Sequence, residues 1–557
     1  MPKKDFQNWS REKLIHEYKD LLKRKKFGIV WEDKEEEVAE MCKTQLPVLR
    51  EIKDKELNNF DGPTNIIIEG DNYHSLSVLN YTHSKSVDVI YIDPPYNTGN
   101  RSWKYNNKYV DEDDSYKHSK WLSFMSKRLR LSKKLLKDNG VMCITIDNHE
   151  FHNLRALLEE IFPGKDIVTT VIEYNFRGRA KNNFAMTHEY AIWVLPRNKD
   201  IITRKKEVSE DIQRNLRRTG QGSRRHESPT LFYGIEVNKK TLKIIGATQP
   251  IPKDQPIPRT KSKDTIYVFP IDGEGIERRW YYSAKTALKE AKQKNVWAKI
   301  IRNKIEIHYR KPGKPMRRKS VWSGSQYDGS TYGTELLTKI IGQNDFPYPK
   351  SIFAVKECIE SATDKKDAII LDFFAGSGTT GQAVLMMNDE DKGNRTFILC
   401  ANDENNNGSG KGIAEEICYP RIKNVMKGYT SNGKHVEGLG GNLKYFTTGF
   451  VDSVKTDNDK RIFTSKSTEM LCLAEGTFDE VVNQKGMFAI YENQKQMVGI
   501  IYDEDAIADF KKEAVRHKKS FIVYVFSYDH TYNEDDFEDM SNLKTVKPIP
   551  EVILNVY

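Results

Sequence analysis

"DAIILDFFAGSGTTGQAVLMM", residues 367–387, joins an apolar strand to an apolar helix through a turn of small residues. The predicted strand ends at Asp372, Gly376 and Gly378 form a tight turn, and Thr379 opens the predicted helix. Glycines at the carboxyl end of a strand let the backbone approach a ligand closely. Glycine spacing alone is weak evidence, because small residues in such a turn also serve packing. The stretch lacks the GxxxxGK[ST] pattern and is therefore not a phosphate-binding P-loop.

The same alternation of strands and helices occurs elsewhere in the chain. Short apolar runs at residues 65–68, 87–92 and 141–146 are separated by helical patterns, and the pattern over residues 118–140 predicts a helix that ends at Gly140. A further apolar run, "EYAIWVL", ends near Pro196. Strands that alternate with helices predict parallel βαβ units, so we expect an α/β fold with a doubly wound, mostly parallel sheet.

The composition excludes several classes of protein. The 557 residues predict more than one domain, 30% of them are charged, and no apolar run approaches the length of a membrane span. The N-terminal residues lack the apolar core of a secretory signal, so we expect a cytoplasmic protein with no membrane partner. The six cysteines are scattered without a CxxC pair or a histidine cluster, so we expect reduced cysteines and no metal site.

Positive charge is concentrated in one segment. Residues 201–320 contain 30 lysines and arginines against 12 aspartates and glutamates, an excess of 18, whereas the whole chain has a net charge of +10. Such a segment suits a polyanion such as nucleic acid, because each neutralised phosphate releases counterions. Charge alone fits a solvated basic insert equally well.

A second chemical motif follows the strand in "VDVIYIDPPYNTGN", residues 87–100. Asp93-Pro94-Pro95-Tyr96 resembles the [DNS]PP[YFW] motif of amino-methyltransferases, which act on the exocyclic nitrogen of adenine or cytosine. That nitrogen is a poor nucleophile, since its lone pair is delocalised into the ring. Asp93 and the Pro94 carbonyl offer two rigid acceptors for its N–H groups, and Tyr96 offers a ring for stacking on a flipped base. The alternative is a strand that ends in a proline turn, with Asp93 as a cap.

The order of the motifs makes the resemblance more specific. Asp93 precedes Phe374, the first residue of an FxGxG-type motif, by 281 residues, and the basic segment lies between them. This is the circularly permuted order of the β class of DNA amino-methyltransferases. Residues 15–450 resemble the modification (Mod) subunits of type III restriction-modification systems through these stretches: "NIIIEGDNYHSLSVL", "DPPYNTGN", "HSKWLSFMSKRL", "HEYAIWVL", "ERRW", "GTELLTKIIG", "FPYPKS" and "GGNLKYF".

The resemblance implies a Rossmann-like fold, S-adenosylmethionine as cofactor, S-adenosylhomocysteine as product and adenine N6 as methyl acceptor. It places Asp93, Pro94, Pro95 and Tyr96 in the catalytic base pocket. The cofactor-binding residues that it implies are Asp71, Asp93, Phe346, Lys350, Asp372, Phe374, Ala375, Gly376, Ser377, Gly378 and Thr379. Related enzymes usually end the next strand in an acidic residue that binds ribose, whereas "FILCAND" has Ala401 there, and Asn402 is the first choice for this role.

The resemblance also implies a division of the chain. Together with the composition and patterning along the chain, it gives an N-terminal helical segment (1–60), a catalytic half of the methyltransferase domain (61–200), a target-recognition domain (201–320) and a cofactor-binding half (321–450). Patterning alone, beyond the resemblance, predicts a small C-terminal α/β domain (451–557). The basic segment then has a role in holding duplex DNA, and its candidate DNA-binding residues are the paired arginines Arg217, Arg218, Arg224, Arg225, Arg278 and Arg279. A homodimer and a separate helicase-nuclease restriction subunit are the expected protein partners.

Catalysis by positioning requires neither a metal nor a covalent intermediate, because the sulfonium of the cofactor already carries an activated methyl group. Other functions stay open at this point. The chain could be a DNA-recognition scaffold without catalysis, or an RNA or small-molecule methyltransferase, against which the basic segment and the family resemblance speak. Cytosine N4 is a nearer alternative acceptor; Asp93 in the first motif position favours adenine.

Overall fold

The chain forms two units in the computed structural model. The large unit contains the residues up to Thr203 and those from Lys319 onward, and the insert unit is Arg204–Arg318. The structure describes residues 9–23, 29, 31–58, 62–106, 108–175, 178, 183–204, 212–258, 262–311, 316–344, 346–403, 411–528 and 531–554. The predicted basic segment therefore includes stretches that lie outside the described residues.

The strands are, in chain order, β1 Gln45–Glu51, β2 Thr64–Glu69, β3 Val87–Ile92, β4 Asn100–Tyr105, β5 Lys108–Asp111, β6 Leu136–Ile146, β7 Lys165–Glu173, β8 His188–Pro196, β9 Ile212–Asn215, β10 Ile235–Asn238, β11 Ile244–Ala247, β12 Thr265–Val268, β13 Val296–Ile301, β14 Lys304–Lys311, β15 Val321–Trp322, β16 Ile369–Asp372, β17 Thr396–Ala401, β18 Gly428–Ser431, β19 Lys434–Glu437, β20 Asn442–Asp452, β21 Asp479–Gln484, β22 Phe488–Glu492, β23 Gln496–Ile501, β24 Ser520–Phe526 and β25 Leu543–Ile549.

The α-helices are α1 Arg11–Lys23, α2 Glu37–Met41, α3 Asn72–Thr82, α4 Lys117–Leu135, α5 Phe151–Ile161, α6 Ala284–Lys292, α7 Leu336–Ile341, α8 Ile352–Ala362, α9 Thr379–Asp391, α10 Tyr419–Lys427, α11 Asp457–Ser465, α12 Thr468–Glu475, α13 Ile507–Ala514 and α14 Glu551–Leu554. Two π-helical segments, Ser330–Glu335 and Ala414–Cys418, lead into α7 and α10. Short 3₁₀ turns lie at Lys53–Lys55, Arg225–Glu227, Pro229–Leu231, Ser325–Tyr327, Glu504–Ala506 and Glu534–Phe537.

A ten-stranded sheet organises the large unit, in the order β1-β20-β2-β17-β16-β3-β6-β8-β7-β15. Strands β20, β2, β17, β16, β3 and β6 are parallel to one another, whereas β1 and β8 run antiparallel to their neighbours. The carboxyl ends of β2, β17, β16 and β3 therefore meet at one edge of the sheet. The predicted α/β class with a large, mostly parallel sheet is confirmed.

Both faces of this sheet are covered, as in a doubly wound fold. Strand β3 is buried at every residue, because Ile90 and Ile92 face a core with α3, α4 and α5, while Val89 and Tyr91 face a second core with α8, α9 and α10. Alternate residues of a strand point to opposite faces, so a strand that is buried on both sides is apolar at most positions. The one charged residue of β3, Asp88, is paired with Lys137 and Lys365. The position of Asp93 directly after this run places its carboxyl group at the sheet edge.

Strands β21 to β25 of the C-terminal segment form a five-stranded sheet, β21-β22-β23-β24-β25. One face of it shares a hydrophobic core with helix α3, since Val498, Ile500 and Ile522 belong to the same cluster as Leu76 and Leu79 of α3. The other face packs on α13 through Phe510. This segment therefore lies within the large unit, and the boundaries between the predicted domains stay predictions.

Two elements differ from the sequence-based expectation. The predicted N-terminal helical segment also contains strand β1, which pairs antiparallel with β20 over Gln45–Glu51. The helix that was expected to end at Gly140 ends at Leu135, and Gly140 lies inside β6, which pairs with β3. In both places tertiary pairing with a distant strand overrides the local pattern.

The insert unit is built from two three-stranded sheets, β11-β10-β12 and β13-β14-β9, with helix α6. Its core contains Tyr233, Trp280 and Ile307, all buried. Ser283 caps α6 by accepting a hydrogen bond from the Thr286 amide. This unit therefore has a hydrophobic core of its own, although the segment 201–320 that contains it has an excess of 18 positive charges.

Candidate active site

The two sequence motifs lie on neighbouring strands. β3 and β16 pair in parallel, with Val89 opposite Ile370 and Ile90 opposite Leu371. Asp93 and Asp372 therefore emerge at the same sheet edge, although they are far apart in sequence. This edge is where open α/β sheets bind ligands.

One oxygen of Asp93 is held by three neighbours. Oδ1 accepts hydrogen bonds from the hydroxyls of Thr145 (2.7 Å) and Tyr96 (2.8 Å), and it lies 3.4 Å from the Nζ of Lys350. Among the described residues, no hydrogen bond reaches Oδ2. The carboxyl group is part-buried and fixed in orientation, with its second oxygen left as an acceptor.

Hydrogen bonds to neighbouring elements hold the proline turn after Asp93. The carbonyl of Pro95 accepts a hydrogen bond from Nε1 of the buried Trp121 (2.7 Å). Asn97 adopts a left-handed conformation (φ 57°) and donates to the buried carboxylate of Glu150 (2.5 Å). Because the Pro95 carbonyl is occupied, the Pro94 carbonyl is the better candidate for the second acceptor of a target amine.

Lys350 joins the motif from a distant part of the chain. Its Nζ donates to Oε2 of Glu189 (2.5 Å) and to the Tyr96 hydroxyl, and lies 4.5 Å from the centre of the Tyr96 ring. The Tyr96 hydroxyl also lies 3.0 Å from Glu189 Oε2. These groups form one connected network, which we call the acceptor network: Asp93, Tyr96, Thr145, Glu189 and Lys350.

The charges in the acceptor network shift its pKa values. Burial raises the pKa of Glu189, although Lys350 opposes this rise. Burial would lower the pKa of Lys350, but the carboxylates of Asp93 and Glu189 outweigh it and raise that pKa. Burial, with Asp93 and Glu189 nearby, raises the pKa of Tyr96 well above its ordinary value, so Tyr96 keeps its proton.

The glycine turn lies beside this network at the end of β16. Gly376 (φ 48°) and Gly378 (φ 78°) both adopt the left-handed conformation that favours glycine. A Cβ atom on Gly376 would lie 3.1 Å from the ring of Phe346, so Phe346 and the turn are in close contact. The Ala375 amide donates to the Cys400 carbonyl (3.1 Å), which anchors the turn to β17.

The polar side chains of the turn bind a buried arginine. Arg421 of α10 donates through Nη1 to Ser377 Oγ (3.0 Å) and Thr379 Oγ1 (2.7 Å), and through Nε to Gln382 (2.9 Å). Burial lowers the pKa of Arg421 to about 10, so the guanidinium stays charged at neutral pH. The side chains of Ser377 and Thr379 therefore form hydrogen bonds within the protein. A ligand would contact the turn through its backbone.

Asp372 precedes this turn and is buried. It accepts hydrogen bonds from Thr380 Oγ1 (2.5 Å) and from the Phe374 amide (2.9 Å). Burial raises its pKa to about 7, despite these two hydrogen bonds. Asp372 therefore supports the shape of the turn from inside the protein.

Two further predicted cofactor residues, Asp71 and Asn402, follow the ends of β2 and β17. Asp71 caps α3 by accepting from the Tyr73 amide (2.6 Å), and it pairs with the buried Arg128 (3.1 Å). Asn72 donates to the Phe373 carbonyl (2.8 Å), which ties this helix start to the glycine turn. Asn402 follows β17, and its carbonyl accepts from the Ala414 amide (3.3 Å).

The structure brings the predicted base-pocket and cofactor residues to one sheet edge, but their roles stay predictions. It also shows three neighbours that the sequence-based analysis missed: Thr145, Glu189 and Arg421. Glu189 carried a readable signal, because a carboxylate at the start of the apolar strand "EYAIWVL" needs a partner. Thr145 and Arg421 carried none, since their partners are distant in sequence.

The predicted DNA-binding arginines of the insert unit differ in exposure. Arg218 and Arg224 are exposed. Arg225 is 5% exposed and donates to Glu277 (3.0 Å) and to the Ile251 carbonyl (2.8 Å), so its guanidinium supports the fold.

The other three arginines are partly buried and bound within the unit. Arg217 donates to the Ile271 carbonyl (2.6 Å). Arg278 pairs with Asp272 (2.7 Å), and Arg279 donates to the Gly222 carbonyl (2.7 Å). Of the six, Arg218 and Arg224 are thus the two whose side chains are exposed.

Two features are absent from the described residues: a metal-binding cluster and a membrane-spanning helix. Within them, no group of three or more His, Cys, Asp or Glu side chains is arranged to hold a metal ion. No helix in the part of the chain that the structure describes is both long and apolar enough to cross a bilayer.

The chain has an α/β fold whose candidate site lies at the carboxyl edge of a doubly wound sheet. The chain belongs to the DNA methylase family, whose N6_N4_Mtase model matches residues 87–406. The predicted family is thus confirmed.

Named relatives cover much of the chain. The type II methyltransferase M.KpnI of Klebsiella pneumoniae is 33% identical over 62% of this chain and 82% of its own length. The type III restriction-modification enzyme EcoPI Mod subunit of Escherichia phage P1 is 30% identical over 68% of this chain and 64% of its own. Among solved structures, the PvuII DNA methyltransferase (cytosine-N4-specific) aligns over 66% of this chain and 97% of its own, at 13% identity and a TM-score of 0.30.

Proposed function

We propose that the protein transfers a methyl group from S-adenosylmethionine to the exocyclic N6 of an adenine that is flipped out of duplex DNA. The observation that carries the proposal is the orientation of Asp93 beside the glycine turn. Oδ1 is held by Thr145 (2.7 Å) and Tyr96 (2.8 Å), which leaves Oδ2 as an acceptor at the sheet edge. Membership of the DNA methylase family supports the same reaction.

The residues of the chain act by positioning. Asp93 Oδ2 and the Pro94 carbonyl accept the two N–H groups of the target amine and turn its lone pair towards the methyl donor. Lys350 lies 4.5 Å from the Tyr96 ring centre, so a flipped base would stack on the face of Tyr96 away from Lys350. The excess proton leaves the nitrogen after transfer.

The residues around the glycine turn fit the cofactor. The backbone of Phe374–Gly378, which approaches the Phe346 ring closely at Gly376, would hold it together with Asp71 and Asn402. The bound cofactor supplies an activated methyl group on its sulfonium. Part-burial of the acceptor network keeps water from competing for the amine.

DNA binding is assigned to the insert unit, with Arg218 and Arg224 as phosphate contacts. Its excess of positive charge supports this assignment. EcoPI Mod, which is named as a subunit of a type III restriction-modification enzyme, supports a role as modification subunit with a separate restriction subunit. A homodimer and a cytoplasmic location belong to the same proposal.

Cytosine N4 is the second candidate acceptor, because the same pair of acceptors could hold either amine. Sequencing that detects modified bases, on DNA from cells that express the protein, identifies the target base and its sequence together. N4-methylcytosine in place of N6-methyladenine would replace the proposed acceptor.

Transfer is tested with purified protein, duplex DNA and S-adenosylmethionine labelled in its methyl group. We expect the wild type to label DNA and Asp93→Ala to lose transfer by more than about 100-fold, because the amine loses its fixed acceptor. DNA affinity, measured by fluorescence anisotropy, should stay within about threefold, since a pocket acceptor contributes little to phosphate binding.

Asp138→Ala serves as the control, because Asp138 lies in β6 and its side chain is 88% exposed. This variant should transfer the methyl group at the wild-type rate. A wild-type protein that binds DNA but transfers no label would favour an idle recognition scaffold. Near-normal transfer by Asp93→Ala would refute the mechanism, and preferential labelling of RNA would change the substrate class.

A further inference from the structure

Glu189 is a buried carboxylate at the start of an apolar strand. It is the second residue of β8, it is 3% exposed, and Ala191, Ile192 and Trp193 follow it into the core. A buried carboxylate is costly unless it is paired, so its partners are informative. Both of the partners described for Glu189 belong to the acceptor network.

Lys350 is the first partner. A lysine ammonium has three N–H donors, and three acceptors surround this one: Glu189 Oε2 (2.5 Å), Asp93 Oδ1 (3.4 Å) and the Tyr96 hydroxyl. All three of these acceptors belong to the acceptor network. The surroundings of Lys350 therefore place it in the base pocket, in contrast to the cofactor role that the family resemblance implied.

Tyr96 is the second partner. Its hydroxyl has one proton, but it lies 2.8 Å from Asp93 Oδ1 and 3.0 Å from Glu189 Oε2. Glu189 and Asp93 thus share both the tyrosine and the lysine. A change in the charge of Glu189 alters its electrostatic attraction for Lys350 and its hydrogen bond with Tyr96. Because both groups also contact Asp93, the orientation of Asp93 changes with them.

We propose that Glu189 is a positioning residue for methyl transfer, which holds Lys350 and Tyr96 against Asp93 Oδ1 so that Oδ2 faces the target amine. Lys350 then acts in the base pocket and not as a cofactor ligand. This inference rests on the proposed function and adds the residue that orients its acceptor.

The charge balance supports this assignment. Asp93 and Glu189 together raise the pKa of Lys350, so the lysine is charged and compensates one of the two carboxylates. Loss of the Glu189 charge would leave Lys350 paired with Asp93 alone. The ammonium would move towards Asp93 and compete with the target amine for its oxygens.

Glu189→Gln tests the proposal, because it keeps the size of the side chain and removes its charge. We expect kcat to fall by about 10- to 100-fold, as for a misplaced reacting group. The dissociation constants for S-adenosylmethionine, measured by calorimetry, and for duplex DNA should stay within about threefold. Lys350→Met should show the same pattern, a loss in kcat with cofactor affinity retained.

Glu475→Gln is a matched control. Glu475 also accepts from a tyrosine hydroxyl, Tyr524 (2.6 Å), and from a lysine, Lys547 (3.0 Å), but it lies in the C-terminal segment. Its variant should keep the kcat of the wild type. A thermal unfolding curve for each variant separates a loss of fold from a loss of rate.

The possible outcomes are distinct. Wild-type kcat in folded Glu189→Gln would overturn the inference, as would a loss of cofactor affinity above about tenfold in Lys350→Met. An equal loss of kcat in Glu475→Gln would show a general effect of removing a carboxylate that binds a tyrosine and a lysine, and would also overturn it. Absence of transfer by the wild type itself would instead refute the proposed function.

Discussion

At the scale of single residues, the buried Asp372 beside the glycine turn makes the stability of the protein depend on pH. Burial raises its pKa from 3.8 to about 7, so between these values the folded state holds a proton that the unfolded state releases. Stability is therefore lost as the pH rises from about 4 to about 7, because ionisation of the buried carboxyl is unfavourable.

Asp372→Asn removes this titration while its amide can still meet Thr380 and the Phe374 amide. We expect the free energy of unfolding of the variant to increase relative to that of the wild type as pH rises from 5 to 7. The difference should grow by up to about 1.4 kcal/mol per pH unit. Urea unfolding at several pH values measures the difference. The exposed Asp138→Asn should show no such trend. A difference for Asp372→Asn that does not change with pH would contradict the shifted pKa.

Sequence patterns reveal functional residues whose neighbours along the chain form the local structure around them. Asp93 and Gly376 were found because a strand, a turn and a helix start surround them locally. Glu189 and Arg421 were missed, since their roles depend on partners brought close by the sheet order: Tyr96 for Glu189, and Ser377 for Arg421. A local pattern has no information on such pairings, although a buried charge in an apolar run signals that a partner exists.

At the scale of elements, the π-helical segment Ser330–Glu335 positions the residues before Lys350. A Cβ on Gly333 would lie 2.1 Å from the carbonyl oxygen of Pro349. We expect Gly333→Ala to displace this backbone, to cost about 1–3 kcal/mol of stability, and to lower kcat by moving Lys350 away from Asp93. Urea unfolding and the transfer assay measure the two effects.

Gly329→Ala is the matched control from the residue that precedes the same segment. Its Cβ would meet only a Tyr174 ring atom, at 3.9 Å, which is ordinary contact. This variant should be close to the wild type in stability and rate. Equal behaviour of the two alanine variants would mean that the close approach of Gly333 to Pro349 does not position Lys350.

The central strands β2, β3, β6 and β8 were predictable as elements because each contains a short, mostly apolar run. Strand β1 was not, because "QLPVLRE" is partly polar and becomes a strand by pairing with β20. The end of α4 at Leu135 was likewise set by the register of β6 on β3. Tertiary pairing thus decided the elements where local propensity was weak.

At the scale of the whole molecule, positive charge should govern DNA affinity. The double variant Arg218→Gln/Arg224→Gln should weaken binding to all duplexes alike and reduce the slope of log K against log salt by about 2, if both contact phosphates. Anisotropy titrations at several salt concentrations measure this slope.

Arg225→Gln provides the contrast. Arg225 is 5% exposed and paired with Glu277, so its loss should lower the stability of the insert unit and leave the salt slope of the folded protein unchanged. An unchanged slope in the double variant would remove Arg218 and Arg224 from the DNA-binding surface.

The order of strands in the large sheet also bears on how the protein is made. β16 and β17 lie between β2 and β3 in the sheet, although β17 ends at Ala401, long after Ile92. A ribosome needs roughly 15 to 60 s to cover that distance at about 5–20 residues per second. During this interval β2 and β3 have unpaired edges, which are sites for aggregation. The same strand order brings Asp93 and Asp372, which are far apart in sequence, to one edge of the sheet.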